Sequence, residues 1–220
     1  MPARPYRTKE EYIYDALRTA ILRCQIAPGT KLVIDQLSGV FGASPIPIRS
    51  ALQRLEVEGL VRIVPHSGAE VSDISVEMVA EIFALMEVLE GLAFRFAAEK
   101  VQESDLAYLE ALVQQMEQAC QDRDADRWSD LNGEFHIRVA EISRLELLCR
   151  FTRTVFDYWG RLRRHYLTEI VEDVLAAQAE HHSMVKLLRE RRVQELAEIV
   201  VPHNRRSRDY FLRIIPAKTG

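Results

Sequence analysis

Apolar residues recur at helical spacing through most of this chain, and the pattern turns to alternation in one short stretch. Ile13, Ala16, Leu17, Ala20 and Ile21 predict a first helix. Thr8 and Glu11 form a capping box at its start, and Ala27-Pro28-Gly29 is a stop signal. A shorter helix is predicted from about Ile34 to Phe41, with Leu37, Val40 and Phe41 facing in and Gly42 at its end. A third spans Ser44 to Gly59. Ser44 is placed to cap it, Pro45 takes the first helical position, and Ile48, Ala51, Leu52 and Leu55 make one apolar stripe. Arg49 and Gln53, four apart, share a face pointing elsewhere. Leu60 to Val64 alternate, Pro65-His66-Ser67-Gly68 predicts a turn, and Ala69-Glu70-Val71 returns as the second arm of a β-hairpin. Three helices and a hairpin describe a winged helix-turn-helix, whose third helix enters the DNA major groove while the hairpin tip touches backbone or minor groove.

From Ser75 onward the spacing is helical throughout. One helix runs to about Lys100, with Val79, Ile82, Phe83, Met86, Leu89 and Ala93 inward. A second, capped by Ser104, carries Leu106, Leu109, Leu112, Val113 and Met116 to about Gln121. Four more are predicted over about 126–142, 147–167, 171–190 and 193–212, with Pro202 expected to kink the last. The predicted fold class is mostly α. An N-terminal winged helix-turn-helix over 1–74 joins a C-terminal all-α antiparallel helical bundle over 75–220 by a short link at Val71 to Ser75.

Composition narrows the function classes. Hydrophobic residues at 48% with 28% charged describe a globular chain rather than a disordered one. No apolar run is long enough for a membrane span, and Met1 to Arg7 lack the apolar core of a secretory signal, so a cytoplasmic protein is expected. Cys24, Cys120 and Cys149 are scattered, as suits a reducing compartment. The absence of a glycine-rich phosphate loop argues against a nucleotide-driven enzyme. Residues 1–72 hold nine Lys/Arg against seven Asp/Glu, whereas the remainder holds 20 against 26. A basic module on an acidic body suits a DNA reader attached to another kind of domain. Because the excess is small, two modules on neighbouring half-sites are expected, and hence a homodimer.

Residues from about 8 to 75 resemble the DNA-binding domain of the GntR family of bacterial transcription regulators. The resemblance is carried by residues 27–32, 41–52, 54–60 and 65–68, read as APGTKL, FGASPIPIRSAL, RLEVEGL and PHSG. It implies that Ser44, Arg49 and the wing tip His66, Ser67 and Gly68 contact double-stranded DNA; Ile46 and Gln53 complete the candidate set. Asp35 and Pro45 stand where members of the family often carry DNA-contacting arginines, which implies a different operator.

The bundle carries one constellation of its own. His136 lies four residues after Asn132 on a face shared with Val139 and Ala140. His181 has Met184, Val185 and Leu188 on its face, and His203 has Leu196, Ile199 and Val200. His181 and His203 are each eleven residues from a turn near Arg192, which in an antiparallel pair sets both about 16 Å from the turn. Two readings stay open: hydrogen-bonded core histidines, or imidazoles holding a divalent metal. His182 is expected on the surface.

The helical region also resembles the ligand-binding FCD domain of the FadR-like branch of the GntR family, through Leu131-Asn-Gly-Glu-Phe-His136, Glu180-His181 and His203. That resemblance implies zinc, nickel or a similar ion held by Asn132, His136, His181 and His203, and helping to hold a carboxylate effector. Asn132 replaces the usual Asp, and Met86 replaces an Arg that in many members pairs with the effector acid. Met86, Arg161 and Arg164 are therefore the candidate effector residues, with Arg163 beside them. The plain expectation for the three arginines is a solvated basic face. The expected function is a ligand-responsive transcription regulator, repressor or activator, binding an inverted repeat as a dimer. The alternatives are a helical metal-dependent enzyme with a vestigial DNA module and a ligand-free architectural DNA binder. Against the enzyme, no carboxylate stands at a fixed short spacing from the histidines, and Glu134 lies nearly opposite His136.

Overall fold

The computed structural model describes residues 8–65, 68–166 and 172–215. The elements are α1 (Lys9–Leu22), β1 (Lys31–Leu32), α2 (Ile34–Phe41), α3 (Pro45–Val57), β2 (Val61–Val64) and β3 (Gly68–Val71), then α4 (Val76–Lys100), α5 (Glu103–Gln121), α6 (Ala125–Ile142), α7 (Glu146–Tyr166), α8 (Glu172–Arg189) and α9 (Val193–Ile214). They divide into two compact units, Met1–Ile74 and Ser75–Gly220.

The first unit packs α1 and α2 on α3 around Ile13, Leu17, Ile21, Ile48, Leu52 and Leu55, all buried. Thr8 and Glu11 make the reciprocal capping box. Ser44 occupies the N-cap position in extended conformation, yet its side chain caps nothing. Pro47, at the third helical position, has no N–H to offer, which leaves the Ile46 N–H as the remaining amide a capping hydroxyl could reach. In α2, Val40 is 77% exposed rather than inward, and Phe41 meets Tyr12 edge-on at 6.1 Å. The hairpin pairs Val61 with Val71 and Val64 with Gly68. A third strand, β1, pairs Lys31 with Glu70 and Leu32 with Ala69; two residues are too short to declare themselves by alternation. The Glu56 carboxylate accepts from the Ile63 N–H at 2.8 Å, tying the hairpin to α3.

Among the described residues the second unit is a bundle of six helices in which α4 packs on α6, α7 and α9. Ser75 caps α4 by accepting from the Met78 N–H. The next helix begins one residue before Ser104, at Glu103, and the Asp105 carboxylate accepts from the Gln102 N–H instead. Leu89 is only half-buried, whereas Val79, Ile82, Phe83, Met86 and Ala93 are buried. Arg191, two residues beyond the end of α8, stands at φ 54°, where glycine is favoured. Its guanidinium donates to the Glu99 and Val101 carbonyls at 2.8 and 3.2 Å, closing the C-terminal end of α4.

Candidate metal centre and nucleic-acid interface

In the first unit, burying the Ile48, Ala51, Leu52 and Leu55 stripe turns Arg49 and Gln53 outward, and both are exposed. Ser44 is exposed, and Ile46 is 75% exposed at the start of the same helix. Asp35, Arg49, Gln53, Ile63 and Pro65 line one open groove between helix and wing. This is a surface on which an acceptor, a donor and an amide stand side by side. His66 and Ser67 lie outside the described residues. Gly68 is buried at φ 113°, and a Cβ there would stand 2.2 Å from the Leu32 carbonyl oxygen, so only glycine lets β1 and β3 approach.

In the second unit, α6 brings Asn132 and His136, α8 brings His181 and α9 brings His203 to one buried point. One ring nitrogen from each histidine lies within 4.8 Å of the others. His136 Nε2 and His181 Nε2 are 3.2 Å apart. An ion with metal–nitrogen distances of about 2.0–2.1 Å would hold two such nitrogens roughly 3 Å apart. Two carboxylates orient the rings from behind: Glu90 Oε1 lies 2.8 Å from His136 Nδ1, and Glu180 Oε2 lies 2.6 Å from His203 Nδ1. Carboxylates therefore do flank the histidines, contrary to expectation, but they sit on the ring nitrogens turned from the cluster. Glu134 is exposed and bonded by the Tyr108 hydroxyl.

The electrostatics favour a neutral ring at His181. Burial, with His203 and His136 alongside, pushes His181 well below its ordinary value. Burial works to raise the Glu90 carboxyl, but the His136 ring, helped by His203 and Asn204, outweighs it and holds Glu90 below the usual range. The Asn132 side-chain oxygen is buried with no hydrogen-bond partner. An orphaned amide oxygen beside three converging rings fits a fourth ligand to a divalent ion.

A small cavity opens beside this cluster, lined by His136, His203, Asn132, Met86, Asn204 and Arg163 among others. Its free space of about 20 Å³ suits one water-sized group. Arg161 and Arg163 are each 1% exposed, which corrects the expectation of a solvated basic face. The Arg163 guanidinium lies 5.2 Å from the Trp128 ring centroid, and burial pushes its pKa down to about 10, so it stays charged at neutral pH. Arg164 turns to Asp130 at the surface instead and is absent from the cavity wall. Arg161, though buried, is not on that wall either. Met86 is, as an apolar neighbour. Glu90 and Asn204 went unnoticed in the sequence, although each interrupts an apolar stripe, the first between Met86 and Ala93 and the second between Val200 and Phe211. His182 is exposed, 3.6 Å from Glu117.

Residues 81–206 match the FCD domain family, and residues 9–71 match the GntR family of bacterial regulatory proteins. The chain belongs to the FCD-domain branch of the GntR family. This GntR regulator is 32% identical over 143 residues to the HTH-type transcriptional repressor RspR of Escherichia coli (strain K12), covering 65% of the chain and 63% of that relative. The match thus spans less than two-thirds of the relative's length. Identity to the HTH-type transcriptional regulator McbR of the same organism is 27% over 148 residues, or 66% of each chain. The solved structure of E. coli McbR/YncC shares the fold, with a TM-score of 0.78 at 19% identity over 94% of this chain and 98% of that one. A GntR family member from Pseudomonas syringae pv. tomato str. DC3000 gives 0.55 at 26% identity over 96% and 88%. The family and these relatives are transcription regulators, so the enzyme alternative is set aside. GntR regulators bind DNA through the helix-turn-helix, and FCD domains bind small effectors. Among the described residues no helix is long and apolar enough to cross a membrane.

Proposed function

We propose that this GntR regulator binds an inverted-repeat operator as a homodimer and releases or grips it according to a small organic acid bound in the helical bundle. The α3 helix lies in the major groove, with Ser44, Ile46, Arg49 and Gln53 toward the DNA and the β2–β3 hairpin as wing. Exposed side chains on a rigid, well-packed helix support this assignment, because base contacts need reach without reorganisation. Arg49 is the cation suited to a guanine edge, and Gln53 is the amide suited to adenine.

Within the bundle, Asn132, His136, His181 and His203 hold a divalent ion, zinc or nickel. The observation carrying this reading is the convergence of three buried histidines, two of them backed by carboxylates, on an orphaned amide oxygen. When bound, the ion supplies a positive charge that an organic acid can share. Glu90 and Glu180 keep the rings turned inward, and the aromatic walls of Trp128, Trp159 and Phe156 keep water out. The free space is water-sized, so an organic effector must displace side chains on entering. That displacement gives the effector differential affinity for two bundle states, without which no coupling to DNA is possible.

Metal analysis of untagged protein, together with operator affinity measured across a panel of organic acids, tests the proposal. About one ion per chain and a shift of several-fold in operator affinity are expected. A metal-free protein whose operator affinity ignores every acid would sink it.

A further inference from the structure

Asn204 is 1% exposed and sits next to His203 on α9. Its amide nitrogen donates to Glu90 Oε2 at 2.6 Å and to the Val200 carbonyl at 3.2 Å. Both partners are acceptors, so the nitrogen must face them and both of its hydrogens are spent. The amide oxygen is thereby fixed in the opposite direction, where it is buried with no hydrogen-bond partner. Asn204 lines the cavity that His136 and His203 also line. A buried amide acceptor without a donor carries the full desolvation cost of that atom, which a ligand donor would remove.

The surroundings say which donor. Met86 on the same wall supplies an apolar thioether and no charge. Arg163 on that wall is a cation, and the Asp173 carboxylate on the same wall is already held by Arg206 at 3.0 Å, so a second cation such as an ammonium group would meet like charge with its counter-charge already engaged. A neutral O–H meets neither objection, and the water-sized free space accommodates a hydroxyl. Phe83, Trp128, Trp159 and Phe211 complete an apolar wall suited to a short carbon skeleton. We infer that Asn204 is a specificity residue of the effector site, its side-chain oxygen accepting a hydrogen bond from the hydroxyl of a small hydroxy acid. This rests on the proposed sensing role and names the class of molecule sensed. Glu90, shared between His136 and Asn204, holds the acceptor in register with the histidine cluster.

Matched pairs that differ by one hydroxyl test the assignment on the full-length protein: lactate against propionate, and malate against succinate. Calorimetric titration and thermal shift give the ratio of dissociation constants within each pair. In the unsubstituted protein the hydroxylated member of a pair should bind about tenfold more tightly, the size of one net hydrogen bond. Asn204→Leu, similar in volume but without an acceptor, should bring that ratio to about one, whatever it does to the affinity of the deoxy acid. Asn204→Ser, which moves the acceptor away from the cavity, should do the same and serves if the leucine variant fails to fold. A purely structural role for Asn204 would weaken both members together and leave the ratio standing, which overturns the inference. So does a ratio near one in the unsubstituted protein, as expected if Asn204 holds only a buried water. If the acids bind without discrimination, Asn204 alone loses its role. If none binds or alters operator affinity, the sensing role falls with it.

Discussion

The two units use their side chains in opposite ways. In the winged helix-turn-helix, the candidate functional residues Arg49, Gln53 and Ser44 are exposed, and the stripe beneath them is a separate apolar core. In the bundle, the candidate functional residues Asn132, His136, His181 and His203 are themselves core, between 0 and 5% exposed. Where function is a surface laid on a core, recognition and stability can change independently. Where function lies inside the core, packing and binding share the same atoms and must move together.

Mutations can break or sharpen this contrast. The largest effect is expected for Phe135→Ala. Its ring lies 5.2 Å from His136 and 4.9 Å from His181, centroid to centroid. Stability should fall by about 3–5 kcal/mol in urea unfolding, and the response to zinc should weaken with it. A stable variant with an intact zinc response would show that the cluster does not depend on its packing. Next comes His181→Ala, which should abolish zinc-induced thermal stabilisation. In the unsubstituted protein that stabilisation should reach about 2.7 kcal/mol at a hundredfold excess over the dissociation constant. Retention of the zinc shift would remove His181 from the ligand set.

Arg49→Ala should behave oppositely. Operator affinity is expected to drop by about 1–3 kcal/mol in fluorescence anisotropy while the melting temperature stays put. A coupled loss of stability would erase the distinction between the units. The smallest effect concerns Cys120. Burial, with Glu117 nearby, pushes its thiol up to about 11, so the folded chain keeps a proton that the unfolded chain releases near pH 8.5. Stability from this group is complete below that pH and declines as pH rises toward 11. Thermal melts from pH 8 to 10.5 should therefore fall less steeply in Cys120→Ala.

The same contrast governs what could be read in advance. The α3 stripe and its turned-out Arg49 were visible because one helix decides them by period alone. Pro47 removes one of the two N–H groups that Ser44 could cap, a reading that needs the helix start to be known to the residue. Inward histidines were visible as members of apolar stripes, and the level placement of His181 and His203 followed from equal arms of a hairpin. Their two rings do meet, with centroids 5.1 Å apart. The arginines of α7 are not decided by spacing. Arg163 and Arg164 are sequence neighbours, yet one is 1% exposed behind Trp128 and the other pairs with Asp130 at the surface. A 100° step along α7 separates them, and only the neighbours of α7 decide which side is inside.

Local periodicity, caps and breakers were enough to determine two units, nine helices and a hairpin among the described residues, because each depends on residues a few positions apart. The short strand β1, the Glu90 and Glu180 carboxylates behind the rings, and the stranded oxygen of Asn204 belong to the tertiary structure. They pair Leu32 with Ala69, Glu90 with His136, and Asn204 with Glu90 across 37, 46 and 114 positions. No repeat or spacing along a chain encodes such a meeting; only the packing of helices against one another brings those atoms within reach.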